Sequence, residues 1–116
     1  RRAQPRIGEG RSCRRLAASP VVAWVTFSVT GFRFTKGSPA EFRSSPPVRR
    51  TFCGTCGTPL TYRHESCDDA IDVTTCSLDE PERLAPTHHS WLSHDIPWVR
   101  FGDGLPAFQE SRPGNN

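Results

Sequence analysis

Eleven prolines and nine glycines break this 116-residue chain into short pieces. Proline removes a backbone donor and fixes φ, while glycine loses the most freedom on folding, so neither belongs inside a long helix or a central strand. The punctuation therefore favours many short strands joined by turns. Hydrophobic residues make up only 34% of the chain, which limits the core to that of one modest domain. Cores of this size often lean on a metal or on disulfides. Five cysteines is an odd count with no spacing suited to an extracellular disulfide framework. No apolar run approaches a bilayer's thickness and no signal-peptide core precedes the domain. The expectation is a cytoplasmic protein with reduced thiols and no membrane partner.

Between the breaks the pattern is β. "VVAWVTF" (21–27) is a nearly continuous apolar, β-branched run, which suits a strand covered on both faces. "FRFT" (32–35) alternates, Phe32 and Phe34 against Arg33 and Thr35, and predicts a half-exposed strand. "KGSP" is turn chemistry, and "AEFRS" predicts another short strand. "VRRTF" and "PLTYRH" flank "CGTCGT" and predict a hairpin whose tip carries two cysteines. "AIDVTTCSL" (70–78) alternates as well. "SLDEPERL" predicts a single helical turn, with Asp79 as cap and Pro81 in the first turn. "THHSWL" and "PWVRF" predict two final strands. The fold expectation is a mainly β domain of short antiparallel strands in stacked sheets, with at most a short helical turn. Residues 1–12 are expected as a disordered or non-native segment, 13–110 as the domain, and 111–116 as a frayed tail.

The formal net charge is +3, from 15 basic and 12 acidic residues, which is too slight to argue for nucleic acid. The basic residues concentrate early, in "RRAQPRIGEGRSCRR" and in "PPVRR". Trp24, Trp91 and Trp98 fit the closing of a small core better than the stacking of bases.

Cys53 and Cys56 carry the clearest chemistry. They sit three apart with a glycine after each, a spacing that turns two thiolates toward one ion. A closed zinc site takes four ligands, so this is half a site. Cys67 falls in the polar loop "HESCDD", and Cys76 is expected as a buried, inert thiol at a strand end. Cys13 stands beside Arg14 and Arg15, whose positive field favours a thiolate. His88 and His89 are adjacent, so in a strand they would point to opposite faces, one buried and one exposed. His64 and His94 fall in loops.

Taken in order, "CRRLAASPVVAWVTF", "FRFTKGSPAEFRSSPPVRRTFCGTCGTPLTYR", "IDVTTCSLDEPERLAPTHHSWL" and "IPWVRFGDGLPAF" resemble the glutathione-dependent formaldehyde-activating enzyme family, which also includes centromere protein V. The resemblance runs from Cys13 to Phe108. It implies a small β-tent that holds two zinc ions. One ion is structural, gripped by an early C-x-C pair and a later C-x-x-C that matches Cys53 and Cys56. The other is catalytic, held by a C-x-C-x-x-C motif whose last cysteine matches Cys13. The two earlier catalytic positions fall on Gly8 and Gly10, and the early C-x-C pair has no counterpart. The resemblance also implies carbon–sulfur lyase chemistry of the S-hydroxymethylglutathione synthase type, in which glutathione meets formaldehyde. Cys13 would then be the catalytic residue, and Arg14 and Arg15, with Arg49 and Arg50, would suit the carboxylates of the glutathione co-substrate. The departures predict an impaired enzyme with two partial zinc sites. With the absence of any methionine, they also point to truncation or a frame error before Cys13. The alternatives are a non-catalytic zinc-knuckle binding module and a pseudoenzyme fragment.

Overall fold

The computed structural model describes residues 4–8 and 10–113, without the side chain of Ser93. Among the described residues seven strands form one hydrogen-bonded ladder. They are β1 (Gln4–Gly8), β2 (Val22–Ser28), β3 (Ala40–Ser45), β4 (Val48–Phe52), β5 (Pro59–His64), β6 (Ala70–Thr74) and β7 (His89–Ser90). The order across the sheet is β3-β4-β5-β6-β2-β1-β7. Neighbours run antiparallel except β1 and β7, which run parallel. The mainly β expectation holds, and the hairpin at the cysteine pair falls where "VRRTF" and "PLTYRH" placed it. Among the described residues no helix is long and apolar enough to cross a membrane.

The core lies where β2 and β6 pair. Trp24, Val25, Ile71 and Val73 are buried there, as the apolar run 21–27 required. Thr26 and Asp72 face each other across the same ladder and are buried too. An isolated carboxylate at such a depth would be expensive, and Arg6 of β1 answers it. The Arg6 guanidinium donates to Asp72 Oδ2 at 3.1 Å and to Thr26 Oγ1 at 2.9 Å, and the Thr26 hydroxyl donates to Asp72 Oδ1. β1 is thus tied to the two central strands by side chains as well as by its ladder.

That strand corrects one expectation. The expectation for residues 1–12 is a disordered or non-native segment, and the structure bears on the first alternative: residues 4–8 form β1 and residues 10–12 lead into helix α1 (Arg11–Ala17). A run of charge was mistaken for a solvated arm because the buried partner of Arg6 stands sixty-six positions away. Helix α1 also exceeds the single turn foreseen. It closes on Ala18 in the left-handed region (φ 52°), with Ser19 N–H donating to the Arg14 carbonyl, and Arg14 and Arg15 sit in the last turn where the dipole favours cations. Residues 1–3 of the expected arm and 114–116 of the expected tail lie outside the described residues.

Other differences have local causes. "FRFT" is not a strand of the ladder: Phe32 has extended backbone, and its ring meets Phe34 edge to face with centroids 5.1 Å apart, but the segment pairs with no neighbour. β6 stops at Thr74, where Thr74 Oγ1 and Ser77 Oγ (2.8 Å) compete with the ladder and start the 3-10 turn Thr75–Ser77. That turn lifts Cys76 to the surface, so it is exposed rather than buried. The helical turn at Pro81–Leu84 forms, but its cap position is Glu80 rather than Asp79. "PWVRF" forms no strand, and Trp98 is 70% exposed. Trp91 is exposed as well, which leaves Trp24 as the tryptophan of the core. His88 and His89 are both buried. His89 Nε2 meets Asp103 Oδ2 at 2.9 Å, and His88 Nδ1 pairs with Thr87 Oγ1 at 3.0 Å.

Candidate functional site

β1 ends at Gly8 and α1 begins at Arg11, so a short connection carries the chain from the sheet into the helix. Gly8, Gly10 and Cys13 all line the cavity, of about 650 Å³, that opens beside this connection. A Cβ built on Gly10 would stand 4.0 Å from Cys13 Sγ, an ordinary contact. At Gly8 a Cβ would come within 3.1 Å of Trp24 Cδ1, so the indole packs into the space that this glycine leaves. Trp24, Tyr62 and Asp72 form part of the wall, and His64, Cys67 and His94 reach it from turns and strand ends. Trp91 stacks on His94 with centroids 5.4 Å apart.

Arg50 of β4 is the buried cation behind Cys13. Its Nε donates to Ser44 Oγ at 3.0 Å and its Nη2 to Ser12 Oγ at 3.2 Å. The same guanidinium lies 3.8 and 4.0 Å from Cys13 Sγ and sits 4.8 Å from the Tyr62 ring centroid. Burial pushes the Tyr62 phenol above its ordinary pKa, and the Arg50 charge partly offsets this. Of the other arginines named from the sequence, Arg15 lines the cavity, while Arg14 donates to the His94 carbonyl at 3.3 Å and is not among the lining residues. Arg49 is exposed and lies 4.0 Å from Glu41. Arg6, Arg11 and Asp72 were not foreseen as cavity residues. The available signal was Asp72 itself, an acid inside an apolar strand, which has to find a partner.

The second locus is the tip of the β4–β5 hairpin. Cys53 N–H donates to the Thr58 carbonyl at 2.9 Å and Gly57 N–H to the Cys53 carbonyl at 2.8 Å. Gly57 has φ +80°, a conformation that side-chain-bearing residues resist. The turn so formed aims the Cys56 amide, and then the Thr55 amide, at Cys53 Sγ, and these donors hold the Cys53 thiol below its usual pKa. Cys56 Sγ, which also interacts with Cys53, is 3.0 Å from Thr58 Oγ1. Residues 54–59 are all exposed. The spacing rule therefore brings Cys53 and Cys56 together as a knuckle.

Neither locus completes a metal site among the described residues. Among the described residues no three His, Cys, Asp or Glu side chains converge, although Cys13, His64, Cys67 and His94 share one cavity. The knuckle offers two donors where a closed zinc site takes four, and the cavity offers Cys13 with glycines at the two related positions. The donor set does not fit the pair of ions that the resemblance implied.

A family model described as glutathione-dependent formaldehyde-activating enzyme matches residues 4–94, most of the chain. The match starts ahead of Cys13, takes in β1, and stops short of Phe108. No curated protein matches the sequence.

Proposed function

Because the chain belongs to the glutathione-dependent formaldehyde-activating enzyme family, we propose that the Cys13 cavity is the thiol-adduct site of a carbon–sulfur lyase-like domain of the S-hydroxymethylglutathione synthase type, impaired in its zinc chemistry. One observation carries this reading. Gly8, Gly10 and Cys13 line a single cavity, which supports reading them as the three positions of one ligand motif, with a ligand side chain at Cys13 alone.

The cavity's own residues suit a glutathione-type guest. Arg11 and Arg15 stand at its wall, where guanidinium forks match carboxylates. Trp24 and Tyr62 provide an apolar face, meeting edge to face at 6.1 Å. Arg50 fixes Cys13 from behind, and the Arg6–Asp72 pair is closed on itself, which leaves the wall arginines to meet an incoming anion. With one donor in place, binding of the adduct is retained and turnover is lost.

Titration calorimetry with glutathione and S-hydroxymethylglutathione tests the guest. Binding that falls at least tenfold in the Arg11→Ala, Arg15→Ala double variant supports it, and undiminished binding refutes it. Cobalt titration of the Gly8→Cys, Gly10→Cys double variant tests the impairment. Thiolate-to-cobalt absorption should appear for an additional ion per chain, after Trp24 yields a few tenths of an ångström at position 8. If that variant folds and binds no additional ion, the motif reading of the cavity is wrong.

A further inference from the structure

A second cavity lies on the reverse face of the sheet. Successive side chains of a strand point to opposite sides, so Tyr62, His64 and Asp72 line the Cys13 cavity while Thr61, Arg63 and Ile71 line the other. This reverse-face cavity, of about 260 Å³, gathers three arginines, Arg33, Arg49 and Arg63, against one acid, Glu41. Arg49 and Arg63 are direct partners across the β4–β5 ladder, a placement of like charges that destabilises the sheet unless an anion answers it. Glu41 answers it weakly, standing 4.0 Å from Arg49 with both side chains 59% exposed. Arg63 donates to the Asp68 carbonyl at 2.9 Å, and among the described residues neither Arg63 nor Arg33 has an ion-pair partner. The rest of the lining asks for apolar contact. The Thr51 and Thr61 hydroxyls bond each other, Val29 and Ile71 are aliphatic, and Phe34, edge to face with Phe32, is 41% exposed.

We propose that this reverse-face cavity binds a small aromatic phosphate monoester, its phosphate among Arg33, Arg49 and Arg63 and its ring against Phe34 and Ile71. Three guanidinium charges less one carboxylate leave a local charge of +2. A phosphate monoester, at about −1.5 to −2 near neutral pH, offsets that charge, and a monocarboxylate leaves half of it. The volume sets the size of the guest, since it falls below the roughly 300–1,000 Å³ of drug-sized sites and suits a single ring. The two cavities share no lining residue, so this site stands whether or not the Cys13 cavity holds a thiol adduct.

Phenyl phosphate, titrated into the full 116-residue chain by calorimetry and amide NMR, should bind saturably and move the amides of Arg33, Thr51, Thr61 and Arg63. Inorganic phosphate, which lacks the ring, and benzoate, which lacks the second charge, should each bind at least tenfold more weakly. Arg33 and Arg49 are exposed, so Arg33→Gln and Arg49→Gln should fold, as circular dichroism can verify, and each should weaken phenyl phosphate at least fivefold. Phe34→Ala should weaken phenyl phosphate and leave inorganic phosphate unchanged, while Glu41→Gln should tighten both. The Arg11→Ala, Arg15→Ala double variant should bind phenyl phosphate as the parent does. Equal affinity for inorganic and phenyl phosphate would reduce the site to an unspecific cationic surface and overturn the proposal. So would binding that survives the Arg33→Gln, Arg49→Gln double variant, binding lost with Arg11 and Arg15, or no saturable binding at millimolar concentration.

Discussion

Replacing Arg6 with alanine tests whether β1 belongs to the folded domain. The Arg6 and Asp72 side chains are 12% and 7% exposed, and their closest approach is 3.1 Å. Removing the guanidinium leaves a buried carboxylate whose remaining named partner is the Thr26 hydroxyl. Breaking a buried pair in this way costs about 3–5 kcal/mol, most of it the uncompensated charge. For a chain of 116 residues, an unfolding entropy of about 2.1 cal/mol/K per residue makes each kcal/mol worth about 4 °C, so Tm should drop by roughly 12–20 °C. Arg83→Ala provides a control on the same chain. Its ion pair with Glu80 is 3.4 Å long but 73% and 64% exposed, and its loss should cost about 1 kcal/mol or less. Urea titration monitored by Trp24 fluorescence would compare the two, with an unchanged slope confirming that the unfolding reaction is the same. The Arg6→Met, Asp72→Leu double variant should recover much of the loss, since it leaves no orphaned charge. If Arg6→Ala costs no more than Arg83→Ala, the buried pair does not hold β1 and the opening strand is not integral to the domain.

Three further outcomes can be checked. Burial first, then the charges of Arg112, Arg6 and His89, lower the His88 pKa from 6.5 to about 4, so the folded state resists its protonation while the unfolded state does not. The stability this neutral ring contributes is complete above pH 6.5 and is lost as pH falls from there toward 4, by up to about 3 kcal/mol at about 1.4 kcal/mol per pKa unit. A His88→Gln variant should show a flatter stability profile over that window in urea titrations, and a profile parallel to the parent's would refute the assignment. Gly57→Ala should destabilise the knuckle by about 1–2 kcal/mol, the penalty of a left-handed conformation for an L-residue, while Gly57→Asn costs less; equal stabilities in thermal melts would show that the turn can relax. Chelation of a metal-loaded sample should leave the intrinsic Tm of the monomer within about 4 °C, since no group of three donors among the described residues couples an ion to the fold.

What the sequence made legible was governed by local rules. The run 21–27 announced β2 because β-branched and aromatic residues without a polar alternation need cover on both faces, and Val25 is fully buried. The hairpin and its knuckle were legible because the glycine-following-cysteine spacing dictates the turn by itself. The failures were contests that local rules cannot decide. Arg6 looked like part of a solvated arm until Asp72 of β6 supplied a buried partner. Phe32 and Phe34 have strand periodicity, but periodicity cannot supply the neighbouring strand that a ladder needs. Cys76 sat at a sound strand end until the Thr74 and Ser77 hydroxyls stopped the strand early. The cavity was half legible: Cys13 was singled out, but Arg50, thirty-seven positions on, became its neighbour only through the pairing of β4 with the rest of the sheet.

The same distribution of forces explains how the β1–α1 connection holds its shape with glycines at positions 8 and 10. Gly8 is still paired with Val22 on one side and Ser90 on the other, and these contacts use backbone groups alone. A glycine there keeps the ladder and, by lacking a Cβ, admits the Trp24 indole that closes the core. The Gly10 carbonyl takes the first hydrogen bond of α1, accepting from Arg14 N–H at 3.0 Å, so the helix starts directly after it. Positions 8 and 10 are therefore held by the ladder and by the first turn of the helix.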